Sequence, residues 1–168
     1  MKFSFISKVI TSLFLVLVSL SLISGTTSKS KNIKKVQTYW DEVWGKGNLQ
    51  AVADFYHPNA KHLEDFTIEG FQKDVASFRE AFPDFKVIVN DIFATGDKVI
   101  TEVTFIGTHT GKKYFEQEPL GKAIKVPGID IFTFKDGKCI NHQHVADYLD
   151  FVKQMGIQLT PTSVDKKQ

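Results

Sequence analysis

The chain has 168 residues, 42% of them hydrophobic and 12% aromatic, so it has the length of one ordinary domain and enough apolar side chains for a core. The formal net charge is +2, and without Lys2 and Lys8 the chain has 19 basic and 19 acidic residues. This balance excludes binding to nucleic acid through counterion release. Cys139 is the only cysteine, which excludes an internal disulfide.

The first 25 residues have the pattern of a secretory signal peptide. Lys2 and Lys8 make the start positive, and the stretch from Val9 to Ile23 carries no charge. This stretch is shorter than the ~20 apolar residues of a usual spanning helix, although an uncleaved amino-terminal anchor is an alternative. We therefore expect an exported protein, periplasmic or secreted, cleaved near residues 24–27. It would meet a membrane only through an uncleaved signal.

Three helices are predicted after a polar lead-in over residues 26–35, at the start of a folded domain over 36–157. Apolar residues recur at three- and four-residue spacing over Ile33–Trp44, Leu49–Tyr56 and Phe71–Phe82. The predicted helix ends are marked by glycine or proline, namely Gly45 or Gly47, Pro58 and Pro83. Each helix therefore has one apolar side to bury.

Strands follow the helices, because the hydrophobic period changes to two from Phe85 onward. The predicted strands cover Phe85–Phe93, Val99–Phe105, Ile124–Phe134 and Lys138–His144, and Gly-Asp and Asp-Gly pairs turn the chain within the two hairpins. A long polar loop lies between the hairpins, and a polar tail covers residues 158–168. Helices first and antiparallel strands afterwards indicate an α+β class, with the helices on one face of a bent sheet.

Three stretches of the chain carry a resemblance to a known family. They are YWDEVWGKGNLQAVADFYHPNAKHLED, EGFQKDVASFREAFPDFKVIVNDIFATGDKVITEVTFIGTHTG and KVPGIDIFTFKDGKCINHQHVADYLDFVKQMG. Together they resemble the SnoaL-like polyketide cyclases, also called ester cyclases, from about Val36 to Gly156. The resemblance implies a cone-shaped fold of the nuclear transport factor 2 kind. In it, three N-terminal helices and a short C-terminal helix pack on a curved antiparallel sheet around a small-molecule cavity. It also implies a homodimer.

The last predicted strand carries the first candidates for chemistry. His142 and His144 are two residues apart, so both side chains point to the same face of a regular strand, and Asp147 follows where the chain turns into a closing helix. A carboxylate near two imidazoles makes a general acid/base group, so these three residues are candidate catalytic residues. The alternatives are buried or rim hydrogen-bonding histidines, and a helix N-cap at Asp147.

Other residues are predicted to line the pocket. His62 lies in an apparent short strand over 60–65, and His109 continues the core-facing parity of its strand, although the glycines beside it favour a turn equally. Asp130 interrupts an apolar strand, and a buried carboxylate is costly unless it is paired or protonated. A pocket or structural hydrogen-bond role is favoured over the alternative, solvent exposure. Phe105 and Phe132 are the predicted apolar lining. The loop over Lys112–Lys122 is the expected lid, since it is long and polar.

The resemblance also implies a mechanism. Its enzymes move a proton beside carbonyls and close a ring by aldol chemistry, without metal or cofactor. In family members, the stretch at the last strand often reads Glu-His-Trp-Asp, then two apolar residues and Asp. The same stretch of this chain is Asn141, His142, Gln143, His144, Val145, Ala146 and Asp147. His142 and Asp147 match, whereas His144 stands where the family has an acid.

Three classes of function stay open. The first is a cofactor-independent cyclase, lyase or isomerase that uses His and Asp on a carbonyl compound. The second is a protein that binds a small apolar molecule without changing it. The third is a metal protein using several histidines, although no multi-ligand spacing favours it. Because polyketide ring closure is normally an intracellular step, the export signal argues against a pathway cyclase.

Overall fold

The computed structural model describes residues 28–62 and 66–158. The predicted signal over 1–25 and most of the predicted tail lie outside the described residues. In the described part of the chain, no helix is both long enough and apolar enough to cross a membrane.

Four helical segments carry the apolar faces that the sequence pattern predicts. Helix α1 includes residues 28–39, part of which had been assigned to a polar lead-in, and continues as a π-helical turn over Trp40–Gly45. The other three are α2 (Gln50–Phe55), α3 (Ile68–Ala81) and α4 (Tyr148–Gln154). Helix α3 begins where the Thr67 side chain accepts a hydrogen bond from the Gly70 amide. The spacing predicts neither the π-helical turn nor the helix over residues 28–32.

Five strands form one mixed sheet in the order β1-β5-β4-β3-β2. Their bounds are β1 (Tyr56–Lys61), β2 (Lys86–Thr95), β3 (Lys98–His109), β4 (Lys122–Lys135) and β5 (Lys138–Ala146). Strands β2 to β5 pair antiparallel, as the turn signals predict, whereas β1 runs parallel to β5. The α+β class is confirmed. The short strand predicted over 60–65 begins earlier, at Tyr56, because the chain passes from α2 directly into β1.

The helices cover one face of the sheet, and two apolar clusters fill the space between. Residues on β3 and β4 alternate between buried and exposed, so one face of each strand enters the core. The first cluster lies under α1 and α2, and its fully buried members include Val36, Val43, Val52, Val99, Val103 and Phe132. The second lies near the end of α3 and against α4, and includes Phe82, Phe85, Val126, Phe151 and Met155. Burial of each large side chain contributes roughly 1.5–3 kcal/mol.

The same alternation places a carboxylate inside the core face. Asp130 is fully buried on β4, two residues before the buried Phe132 and four after the buried Val126. A register that turns Val126 and Phe132 inward also turns Asp130 inward, since the side-chain period of a strand is two. The fold therefore requires partners for this carboxylate.

Candidate functional site

A cavity of about 370 Å³ opens between α1, α3, α4 and the inner face of β3, β4 and β5. Aromatic side chains supply much of its wall, among them Trp40, Trp44, Phe71, Phe78, Phe85 and Phe105. Polar side chains on the wall include Asp130, His142, His144 and His62. A mostly apolar wall with a few convergent polar groups is typical of a small-molecule site.

Asp130 binds both histidines of the closing strand. In the pairing of β4 with β5, Asp130 lies opposite His144 and Phe132 lies opposite His142. One carboxylate oxygen, Oδ1, lies 2.7 Å from Nε2 of His142 and 2.8 Å from Nδ1 of His144. Burial alone would raise the pKa of Asp130, but the hydrogen bonds from the two imidazoles outweigh it and hold that pKa below its ordinary value. Asp130 is therefore an ionised acceptor for two N–H donors.

His142 is held from both sides of its ring. Its Nε2–H donates to Asp130, and the hydroxyl of Tyr56 lies 2.6 Å from its Nδ1. Because Nε2 carries the ring proton, Nδ1 accepts the Tyr56 proton and the imidazole is neutral. Burial lowers the pKa of His142, although Asp130 opposes the effect, and burial raises the pKa of Tyr56 well above its ordinary value. His142 is thus a fixed neutral imidazole.

The hydrogen-bond chain continues behind His142 into α1. The hydroxyl of Tyr39 lies 3.3 Å from that of Tyr56, and Nε1 of Trp44 donates to the Tyr39 oxygen at 3.1 Å. Burial raises the pKa of Tyr39, so both tyrosines keep their protons. These hydroxyls hold the buried side of His142 in place.

His144 presents its second nitrogen to the cavity. Since Nδ1–H donates to Asp130, Nε2 is the acceptor nitrogen whenever the ring carries a single proton. The side chain is 17% exposed and lines the cavity, where its ring contacts the edges of Phe105 and Tyr148. An imidazole with a carboxylate on one nitrogen and a free lone pair on the other is equipped to accept a proton.

The ring of His62 stacks against the ring of His142. The two ring centroids are 4.1 Å apart with an interplanar angle of 9°, and Nδ1 of His62 lies 3.0 Å from the backbone carbonyl oxygen of His142. Burial, and then the neighbouring His142, lower the pKa of His62 to about 4. His62 is therefore a neutral imidazole on the cavity wall.

Of the other predicted site residues, Asp147 and His109 lie away from this group, and Phe132 contacts it without lining the cavity. Asp147 caps α4, because its side chain accepts a hydrogen bond from the Asp150 amide, and it does not line the cavity. His109 is fully buried and donates from Nε2 to the carbonyl oxygen of Lys112 at 2.9 Å. Phe132 packs beneath the site with its ring 4.2 Å from that of His142. Phe105 lines the cavity.

The loop between β3 and β4 covers one side of the cavity, where a lid was predicted. Tyr114 and Phe115 belong to the cavity wall. The loop is anchored to the end of α3 by hydrogen bonds from the Gly111 and Lys112 amides to the Ala81 and Glu80 carbonyls, at 3.0 Å and 2.8 Å. One end of this cover is therefore fixed by the backbone.

The sequence pattern assigns four residues of the site to the core alone or does not distinguish them. Trp40, Trp44 and Tyr56 belong to predicted apolar helix faces, and Tyr39 was not singled out. Tyr and Trp carry a polar group that needs a partner when buried, and this is the one signal that distinguishes them from other core residues. The Nε1–H of Trp40 has no partner among the described residues.

Acidic, histidine and cysteine side chains are the groups that could hold a metal ion here. Within residues 28–62 and 66–158, no set of three or more of them is arranged to hold a metal ion. Oδ2 of Asp130 is buried and without a partner among these residues. Both ring nitrogens of His142 have partners, whereas His62 and His144 are each bonded through Nδ1 only.

Comparison with protein families gives a match over most of the domain. Residues 34–155 match the model of the family described as SnoaL-like polyketide cyclase. The chain has no match among the curated proteins with which it was compared.

The chain also matches solved structures, and each match covers nearly the whole of the solved chain. TsrD from Streptomyces laurentii is 21% identical with a TM-score of 0.70, over 77% of this chain and 97% of that one. A putative SnoaL-like polyketide cyclase from Jannaschia sp. CCS1 is 24% identical with a TM-score of 0.69, over 78% and 95%. A putative polyketide cyclase from Acidithiobacillus ferrooxidans is 25% identical with a TM-score of 0.64, over 73% and 92%.

Proposed function

The chain belongs to the SnoaL-like polyketide cyclase family, and from this premise we propose that its cavity binds a small, mostly apolar carbonyl compound and that His144 moves a proton on it without a cofactor. The observation that carries the proposal is the pair of hydrogen bonds that Asp130 receives from His142 and His144 at the cavity wall. His142 is held as a neutral imidazole by Asp130 and Tyr56, and His144 has a nitrogen without a partner on the cavity side of Asp130.

The proposed reaction balances without an outside reagent. Nε2 of His144 takes a proton from a carbon next to a carbonyl, and the electron pair of that C–H bond becomes an enolate. The ionised Asp130 stabilises the imidazolium that forms. The enolate carbon then bonds to a second carbonyl carbon, whose oxygen takes the proton back from His144. Alternatively, the proton returns to another carbon of the same system, which is an isomerisation.

The experiment follows proton exchange, since this step is common to both reactions. The probe is 2-tetralone in D2O, and NMR measures the exchange of its α-protons. We expect the wild-type protein to accelerate the exchange and His144→Phe to lose roughly 100-fold or more of that acceleration. His57→Gln is the matched control, because His57 is a partly exposed histidine outside the cavity wall.

The same experiment separates catalysis from binding alone. If the wild-type protein binds 2-tetralone and leaves the exchange rate at that of His144→Phe, the acid/base proposal is wrong. The alternative, a non-catalytic protein for an apolar ligand, then stands. Mass spectrometry of small molecules that purify with the protein identifies the natural ligand in either case.

Export is part of the proposal. The positive start and uncharged stretch of the first 25 residues support a protein that acts in the periplasm or outside the cell. An exported member of this family meets its ligand outside the compartment in which polyketide rings are normally closed. The proposed ligand is therefore a small apolar molecule of the envelope or the surroundings.

We also propose a homodimer that forms through the outer face of the sheet. Ile129 and Val145 are register partners on β4 and β5, and their side chains are 52% and 69% exposed on the face opposite the helices. Phe93 and Ile100, paired on β2 and β3, continue the apolar surface. Glu102 and Lys98 lie on the same side of β3, so two copies related by a twofold axis can pair opposite charges around an apolar centre.

A further inference from the structure

We propose that His62 is a fixed hydrogen-bond acceptor in the cavity, which therefore selects a ligand bearing a neutral hydroxyl or enol group. The inference rests on the small-molecule binding of the proposed function, but not on catalysis. It concerns the nitrogen of His62 that faces away from the backbone.

The proton of His62 is positioned by the backbone. A carbonyl oxygen can only accept, so Nδ1 of His62 carries the hydrogen that bridges to the carbonyl of His142 at 3.0 Å. The other ring nitrogen, Nε2, is then an unprotonated acceptor. It has no partner among the described residues, and His62 lines the cavity. A ligand donor is therefore the partner that this atom lacks.

The ring cannot easily turn to present its N–H instead. One face stacks on His142 at 4.1 Å, and the rings of Phe66 and Phe71 meet it edge-on with centroids at 5.6 Å and 5.3 Å. A flip would also break the bond to the backbone carbonyl and leave a buried acceptor unpaired. Burial keeps the pKa of His62 at about 4, so the lone pair on Nε2 persists at neutral pH.

The rest of the wall favours the same ligand chemistry. Nε2 of His144, a second wall atom without a hydrogen-bond partner among the described residues, is likewise an acceptor, whereas Oδ2 of Asp130 is fully buried. No lysine or arginine lines the cavity in the part of the chain that the structure describes, so an anionic ligand has no counter-charge there. Two carboxylates line the cavity: Asp74 is exposed to solvent, and the deep one, Asp130, already accepts two hydrogen bonds. An ammonium group would therefore lose its hydration in the depth of the cavity without a free counter-charge. A neutral hydroxyl donates without these costs.

The test compares two probes of the same ring system whose oxygen carries either a hydrogen or a methyl group. They are 1-naphthol and 1-methoxynaphthalene, whose oxygen is kept but no longer donates. Isothermal titration calorimetry measures both dissociation constants. We expect the wild-type protein to bind 1-naphthol about threefold to tenfold more tightly, the effect of one neutral hydrogen bond. In His62→Phe this preference should fall to about one, with 1-methoxynaphthalene bound as before.

His144→Phe is the matched variant, because His144 presents the other free imidazole nitrogen. The preference for 1-naphthol should persist in it. Equal affinity for both probes in the wild-type protein, or a preference that survives His62→Phe and disappears in His144→Phe, overturns the proposal. Neither result bears on proton exchange, so failure here is distinct from failure of the catalytic proposal.

A second measurement tests the proposal on the wild-type protein, in case His62→Phe does not fold. In the ¹⁵N-labelled wild-type protein, addition of 1-naphthol should move the Nε2 resonance of His62 toward the hydrogen-bonded range, whereas 1-methoxynaphthalene should not. Identical shifts with both probes would contradict the assignment.

Discussion

Asp130 and His144 lie directly opposite each other on β4 and β5, and the Oδ1 atom of the first is 2.8 Å from Nδ1 of the second. The register of β4 against β5 brings the two residues together, because it places them opposite each other with both side chains on the same face of the sheet. His142, one row further along the strand, reaches the same oxygen. A shift of β5 by one residue against β4 would turn both histidines to the outer face and leave Asp130 without them.

Replacement of Asp130 by asparagine tests the carboxylate itself. The amide keeps the shape of the side chain but removes the charge that stabilises a protonated His144, so we expect α-proton exchange of 2-tetralone to fall by roughly 100-fold. Binding of 1-methoxynaphthalene should stay within about twofold. Asp147→Asn is the control, since asparagine caps a helix as well as aspartate does. A larger loss in Asp147→Asn than in Asp130→Asn would place the important carboxylate at the start of α4.

Stability should fall as the pH drops below about 6.5, because His62 is buried as a neutral ring. Its folded pKa of about 4 lies below the ~6.5 of an unfolded histidine, so the unfolded chain binds the proton first. The stability linked to His62 is present above pH ~6.5 and decreases toward pH ~4, by an amount on the order of 3 kcal/mol. Urea unfolding between pH 4.5 and 7.5 measures it. The slope should be shallower in His62→Phe, and an equal slope in both proteins would refute the assignment.

The anchor of the cavity cover depends on a glycine. A Cβ atom at Gly111 would lie 1.8 Å from the backbone oxygen of Glu80, so Gly111→Ala must separate the loop from α3. We expect a loss of about 3 kcal/mol in the free energy of unfolding. Gly96→Ala is the control, because Gly96 has a φ of +59° but nothing lies within 4 Å of its Cβ position. This substitution should lower the free energy of unfolding by about 1 kcal/mol. Chemical denaturation of the two variants compares them, and equal losses would rule out the steric explanation.

The proposed dimer is tested by a charge on its face. Val145→Glu places a carboxylate at the centre of the exposed apolar surface, so light scattering after gel filtration should give half the mass of the wild-type protein. Leu149→Glu is the control, because Leu149 is 51% exposed on α4, away from this face. Folding should be kept in both, since exposed positions tolerate substitution. A monomeric wild-type protein, or a dimeric Val145→Glu variant, contradicts the proposal.

Much of the fold follows from local pattern. The helix faces over Ile33–Trp44 and Phe71–Phe82, the two hairpins and the α+β class are all visible as hydrophobic periods and turn residues. The parallel pairing of β1 with β5 is not, because it joins Tyr56 to Cys139 across most of the domain and no local period encodes such a contact. The extension of α1 back to residue 28 was also missed, since that segment is rich in polar residues.

The site was predicted in part. The parity of His142 and His144 placed them on one face, and the cost of burying Asp130 showed that it needs a partner. What joined these residues is the register of β4 against β5, which depends on where each strand begins and on the bulge between Thr133 and Phe134. Asp147 and His109 carry the right chemical groups, but the turn into α4 and the fold of the loop direct them elsewhere.

By itself, the sequence determined the order of helices and strands, the family and the chemical types available, because propensity, periodicity and burial cost act over neighbouring residues. Tertiary structure alone decided which groups meet. Tyr56, His142, Asp130 and His144 form one hydrogen-bonded chain only when β1, β4 and β5 are paired in register. That chain fixes which imidazole nitrogens carry protons and which remain free to meet a ligand. Proton position is a property of contacts between distant segments, and for that reason it had to come from the fold.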